Sequence, residues 1–299
     1  MSRHFKWVIG IVTVLIINSC SRTTENSPTQ GVTKVLVEQS LKPLMESEIA
    51  IFQQLYPQAR IEPVYMYDAQ LMAYFMADST DLAITTHPLS DEEVAHIQQE
   101  RIWPQQLTFA KDGLALIVRK DFPFDSITSD QLKGMLLGEP AALPFHLVFD
   151  HKGSATVKFL EDSFLDGKSI ADNCYAVNSE RTLIDYVQDN LSSIGIIGVN
   201  NIIDRNDTSR VSFLKAMKIL KLSNETGKYF PPVQSYLYTG EYPLTRTISI
   251  FNREARSGLA TGFAAFLASE RGQRIVLREG LVPTTMPVRL VEISNRSLN

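Results

Sequence analysis

Gly31-Val-Thr-Lys-Val-Leu-Val-Glu-Gln-Ser40-Leu-Lys-Pro-Leu-Met-Glu-Ser-Glu-Ile-Ala50-Ile-Phe-Gln-Gln-Leu55 decides the fold class. Its first part, Val32 to Val37, is a short apolar run rich in β-branched residues, the mark of a buried strand. Ser40 is placed to cap a helix whose apolar positions Leu41, Leu44, Met45, Ile49, Phe52 and Leu55 form one stripe, and Pro57 ends it. A strand followed at once by an amphipathic helix is half of a βαβ unit, and the alternation continues down the chain. Strands are expected over 60–65 and 81–86, with Asp68 capping a helix over 69–77 between them. Ser90-Asp-Glu-Glu93 and Thr128-Ser-Asp-Gln131 are capping boxes; the first opens a helix to about Arg101, the second a helix that stops at Gly138. Two separate strands, 106–109 and 113–119, are expected between those helices. Strands over 145–150, 175–178 and 194–199 then alternate with helices over 156–165 and 181–189. Strands over 215–222 and 247–251 and one long helix over 259–279, with a break at Gly272, complete an α/β chain with mainly parallel sheets.

At the N-terminus Arg3 and Lys6 precede an apolar run from Trp7 to Ile17, about half the length needed to span a bilayer, so the segment reads as a secretory signal. It ends at Ile17-Asn-Ser-Cys20, which resembles a bacterial lipobox. That resemblance implies a signal peptide over residues 1–19, acylation of Cys20 and a lipid-anchored protein of the cell envelope, facing the periplasm or the exterior. Residues 20–31 lack large apolar side chains and read as a flexible stalk. With Cys20 lipidated, Cys174 is the one remaining thiol and no internal disulfide is available. A hydrophobic content of 44% supports real cores, and a net charge of −4 argues against a nucleic-acid partner, so any anion site is local. His87, His96, His146 and His151 show no metalloprotease spacing, and the chain has no Gly-x-Ser-x-Gly elbow or Walker loop. No enzyme activity, cofactor or metal site is expected.

Four further stretches carry a resemblance. They are Asp112-Gly-Leu-Ala-Leu-Ile-Val118 followed by Ile127-Thr-Ser-Asp-Gln-Leu132; Ser193-Ile-Gly-Ile-Ile-Gly198; Gly240-Glu-Tyr-Pro-Leu-Thr-Arg246; and Phe266-Leu-Ala-Ser-Glu-Arg-Gly-Gln-Arg-Ile-Val276 with Gly280-Leu-Val-Pro283. In order and spacing the chain resembles the phosphate-binding receptors of phosphate ABC transporters, in their Bacteroidetes-type lipoprotein branch. The resemblance implies a two-lobed type II periplasmic binding-protein fold, with the ligand cleft between lobes joined by two hinge strands. Lobe one would be residues 31–117 plus 239–299, and lobe two residues 118–238. It also implies a monomer whose partners are inorganic phosphate, or an oxyanion such as sulfate or molybdate, and an ABC transporter permease. An anion-sensing or signalling lipoprotein is the alternative function.

Oxyanions are held by the free N–H groups of helix starts and by small hydroxyls. Three loops have that chemistry. Lys152, Gly153, Ser154, Ala155 and Thr156 lie between a strand and a helix and resemble the family's Gly-Ser-Gly-Thr phosphate loop, with Ala155 replacing a glycine. Ser154 serves equally well as a plain N-cap, and Lys152 as a solvated surface lysine. Ser40 and Leu41 open the first helix, and Thr85, Thr86 and His87 follow a buried strand. Members of this branch often carry Arg where His87 stands, and better-known members an Asp nearby that accepts the proton of hydrogen phosphate; this loop has neither. Arg246 reads first as a hinge or structural residue, and second as an arginine near the cleft that supports an anion.

Overall fold

The computed structural model describes residues 26–77, 80–86, 89, 91–99, 104–202 and 216–287; the segment expected to be a signal peptide, Cys20 and His87 lie outside the described residues. Strand β1 (Gly31–Glu38) runs parallel to both β2 (Ala59–Met66) and β3 (Leu82–Thr85). Helix α1 (Lys42–Leu55) covers this sheet because Leu44, Met45, Ile49 and Phe52 fall on its inner face. Phe52 meets Phe263 and Phe266 of α8 (Leu259–Ala268) at ring-centroid distances of 5.2 and 5.3 Å. Burial of one such phenylalanine contributes about 1.5–3 kcal/mol, so this aromatic contact is a principal tie between the N- and C-terminal ends of the lobe.

The two expected strands over 106–109 and 113–119 are one, β4 (Gln105–Arg119), and it passes through both lobes. Its first half pairs antiparallel with β11 (Thr245–Asn252), which itself pairs with β3. From Leu114 onward β4 pairs instead with β8 (Ser193–Gly198) and β9 (Met217–Ser223). Strand β8 in turn lies parallel to β6 (His146–Phe149), which pairs with β7 (Tyr175–Ala176). Each sheet has its own apolar core, one around Val37, Phe52 and Phe263, the other around Leu116, Leu147 and Leu220. The molecule is therefore two α/β lobes sharing one continuous strand. Lys111 and Asp112 interrupt the hydropathy of β4 without interrupting its hydrogen bonds, because Asp112 is a buried partner of Arg246 across the sheet.

Three local expectations are corrected. Ser40 does not cap α1: Gln39–Leu41 form a 3-10 turn whose cap is Glu38, and α1 begins at Lys42 with no side-chain cap. Asp68 is the first residue of α2 (Asp68–Met76), after an uncapped Tyr67. The long C-terminal helix breaks at Ser269, not Gly272, and Ser269 caps α9 (Glu270–Arg278) by accepting from the Gly272 amide. Gly272 serves a different purpose: a Cβ there would lie 2.5 and 2.6 Å from the carbonyl oxygens of Phe266 and Leu267, so glycine permits the tight junction. The Thr128 capping box is formed as expected, opening α4 (Ser129–Leu136).

Candidate functional site

The floor of the cleft between the lobes is the point where β4 changes sheets. Arg246 and Asp112 are register partners there, and neither side chain is exposed. Arg246 Nε and Nη2 donate to Asp112 Oδ2 at 3.0 and 2.7 Å, and Nη2 also donates to Ser40 Oγ at 3.1 Å. Burial disfavours the guanidinium charge, but Asp112 and then Glu38 outweigh it and hold the group above its ordinary pKa. Nη1 is buried without a hydrogen-bond partner among the described residues. An unmet buried donor costs about 1–3 kcal/mol, and more when charged, so a ligand that accepts from it recovers that cost.

Glu38, at the end of β1, is wholly buried and accepts from the Ser40 amide at 3.1 Å and from the Ser40 hydroxyl. Burial pushes its carboxyl up to about 7, against the pull of Arg246 and of the Ser40 hydrogen bonds. The Ser40 carbonyl accepts from Asn200 and Asn201 Nδ2 at 2.7 and 3.1 Å, which ties the first loop to the turn after β8. Gly198, just before that turn, leaves room for this closeness: a Cβ would stand 2.8 Å from Asn200 Oδ1 and 3.1 Å from Arg246 Nη2.

Asp150 follows β6 in the other lobe and is also buried, with Oδ1 unpartnered among the described residues. Burial raises its carboxyl pKa, opposed by hydrogen bonding from Ser154 and by the nearby Arg246 charge. Ser154 accepts from the Val157 amide at 3.5 Å and caps α5 (Ala155–Phe159), so the N-cap role is real; Ala155 and Thr156 beside it are buried. The Thr86 hydroxyl is buried without a partner among the described residues. Thr86 and Arg246 line the same cavity of about 440 Å³. Across the cleft, the Tyr67 and His151 rings stack at 3.8 Å and the Tyr67 hydroxyl donates to the Asn178 carbonyl at 3.3 Å, so the lobes already touch on this side.

The three loops expected from sequence are thus only partly brought together. Ser40 accepts from Arg246, Thr86 lines a cavity with it, and Ser154 hydrogen-bonds Asp150, whose carboxyl feels the Arg246 charge. The Thr85 hydroxyl turns instead to Asp68 Oδ1 at 2.7 Å, and the Leu41 side chain belongs to the core of its lobe. Lys152 lines a different pocket of about 150 Å³ with Val157, Glu161 and Cys174. The Gly153 amide donates to His151 Nδ1 at 2.9 Å. Burial pushes the Cys174 thiol up to about 11, which works against thiolate chemistry. Sequence reasoning missed Glu38, Asp112 and Asp150, and placed Arg246 first as a hinge or structural residue, with anion support as its second role. The available signal was an acid within or at the end of an apolar strand in each case, since a buried acid requires a partner.

Residues 22–271 match the family model described as a PBP superfamily domain. The chain belongs to that superfamily. Among solved structures it is similar to a putative phosphate ABC transporter substrate-binding protein from Clostridium perfringens, with TM-score 0.70 and 20% identity over 85% of this chain and 100% of that one. It is also similar to an ABC-type phosphate transport receptor from Vibrio cholerae, with TM-score 0.66 and 19% identity over 85% and 100%. At these identities the likeness establishes the shared two-lobed fold. By sequence the chain is 22% identical to the phosphate-binding protein PstS of Staphylococcus aureus, over 90% of this chain and 85% of that protein. Against the PstS of Staphylococcus epidermidis it is 24% identical over 67% of this chain and spans 62% of the relative's length.

Proposed function

We propose that this protein is an extracytoplasmic lipoprotein that takes inorganic phosphate into the cleft and delivers it to an ABC transporter permease. The observation that carries the binding half is a pair of residues lining one cavity, Arg246 and Thr86, each with a buried polar atom, Nη1 and the hydroxyl, that has no partner among the described residues. The transport half is supported by the names of the similar proteins from Clostridium perfringens and Vibrio cholerae. The lobes that would close on the ligand are residues 31–117 with 239–299, and residues 118–238.

Glu38 and Asp150 supply the carboxylates that the loop after β3 lacks. An ionised carboxylate accepts only from a protonated ligand and repels sulfate, so this pair favours hydrogen phosphate. Calorimetry and thermal denaturation of the full chain test the reading. Phosphate at about 100 times Kd is expected to stabilise by about 2.7 kcal/mol, a few degrees in melting temperature, with sulfate weaker. Sulfate does not titrate near neutrality, so its affinity reports Glu38: it should rise as pH falls through about 7, where the carboxyl takes up its proton and ceases to repel. Glu38→Gln should remove that slope. Absence of any shift with phosphate, sulfate or molybdate would refute an oxyanion site.

The anchor has its own test. Labelled palmitate is expected to be incorporated in cells expressing the wild type and lost in Cys20→Ala; equal labelling of both would move the attachment elsewhere or remove it.

A further inference from the structure

A bare oxyanion uses only one end of the cleft cavity. A tetrahedral anion fills on the order of 100 Å³, roughly three waters of about 30 Å³ each. The cavity that Arg246 and Thr86 share measures about 440 Å³, within the range of about 300–1,000 Å³ that holds small organic ligands. This size is found with the lobes in contact through the Tyr67–His151 stack and the Asn200–Ser40 hydrogen bond. Phe159, Phe164 and Pro243 give the cavity an apolar wall. At Phe164 and Pro243 it adjoins a larger groove of about 1000 Å³, which those two residues also line, so a bound group has room to extend.

We propose that the site takes an oxyanion carrying one short organic substituent, a phosphate monoester or phosphonate, whose phosphoryl oxygens meet Arg246 Nη1 and Thr86 Oγ1 while the substituent lies along Phe159 and Phe164. The inference rests on the oxyanion reading above and extends it. Charge sets the orientation: the guanidinium and the Thr86 hydroxyl are buried, polar and without a full set of partners among the described residues, so they take the phosphoryl group and leave the apolar residues to the substituent. Among the described residues of the lining, Lys158 is already paired with Asp162 at 2.8 Å, which offsets its charge. Each methylene moved from water onto the phenylalanine wall should raise affinity about fourfold.

Titration calorimetry of the full chain with inorganic phosphate, methylphosphonate and propylphosphonate tests this. Propylphosphonate, with two more methylenes, is expected to bind about fifteenfold more tightly than methylphosphonate. Phe159→Ala should shrink that ratio toward one. Inorganic phosphate binding without any gain from methyl to propyl, or with no phosphonate binding at all, overturns the inference and leaves the oxyanion reading standing. If none of the three ligands binds, both readings fall together. The chain-length series in the wild type decides the matter even where Phe159→Ala proves unstable.

Discussion

Arg246→Met is expected to lower anion affinity about a hundredfold or more and to destabilise the fold by about 3–5 kcal/mol. The two losses have separate causes. Methionine matches the length of the arginine stem but removes every donor, including the Nη1 group that lacks a partner among the described residues. The stability loss comes from Asp112, which has no side-chain exposure and would keep a buried charge without its counter-ion. Arg246→Met combined with Asp112→Leu separates them, because replacing both members of a buried pair by apolar groups of similar volume is often neutral or stabilising. The double variant should therefore regain much of the stability in urea denaturation while anion binding stays lost. A double variant that binds phosphate as tightly as the wild type would reduce Arg246 to a hinge fastener.

The fold was legible because its signal is local. The apolar stripe from Leu44 to Phe52 and the short strand before it specify a helix lying on a sheet whatever the rest of the chain does, and α1 forms as read apart from its first turn. The misread elements share a cause. Lys111 and Asp112 look like a loop between two strands, yet the backbone of β4 runs straight through them because a distant residue, Arg246, neutralises Asp112. Ser40 and Gly272 were assigned the commonest roles of their residue types, cap and helix breaker. In the fold, Ser40 is held by Glu38 and Arg246, while Gly272 makes room for the carbonyls of Phe266 and Leu267.

The site was less legible than the fold, and for a related reason. Ser40, Thr86 and Ser154 stand in loops after strands, where small hydroxyls have a recognisable meaning. Around them stands a set of charges drawn from the ends or interiors of four strands far apart in sequence: Glu38 at the end of β1, Asp112 in β4, Asp150 after β6 and Arg246 in β11. No local pattern links an arginine to an aspartate 134 positions away. The burial that makes these charges important is set by the crossing of β4 between the sheets. The resemblance pointed to the phosphate loop, and there too the hydroxyl of Ser154 is engaged as a helix cap beside Asp150.

Glu48→Met is expected to stabilise the protein by an amount that grows with pH. Glu48 lies on the inner side of α1 with no exposure, and neither carboxyl oxygen has a hydrogen-bond partner among the described residues. Burial pushes its carboxyl from 4.5 up to about 9, with Glu279 adding to the rise and Arg278 opposing it. Glu279 ends α9 and accepts from the Ser47 hydroxyl at 3.1 Å, so the two acids meet where α1 packs on α9. A carboxyl whose pKa is raised on folding binds its proton more tightly in the native state. Its stabilising contribution is therefore fully present below the unfolded value of 4.5 and is lost as pH rises towards about 9. The loss follows about 1.4 kcal/mol per pH unit, several kcal/mol at pH 8 as an upper bound. Methionine fills similar volume with no group to ionise or to leave unsatisfied. Urea denaturation should show Glu48→Met close to the wild type near pH 5 and about 2–4 kcal/mol more stable near pH 8. The slope of that difference is the decisive quantity, since cavity or packing changes shift stability equally at both pH values. A difference independent of pH would mean that Glu48 is ionised and solvated in the native protein.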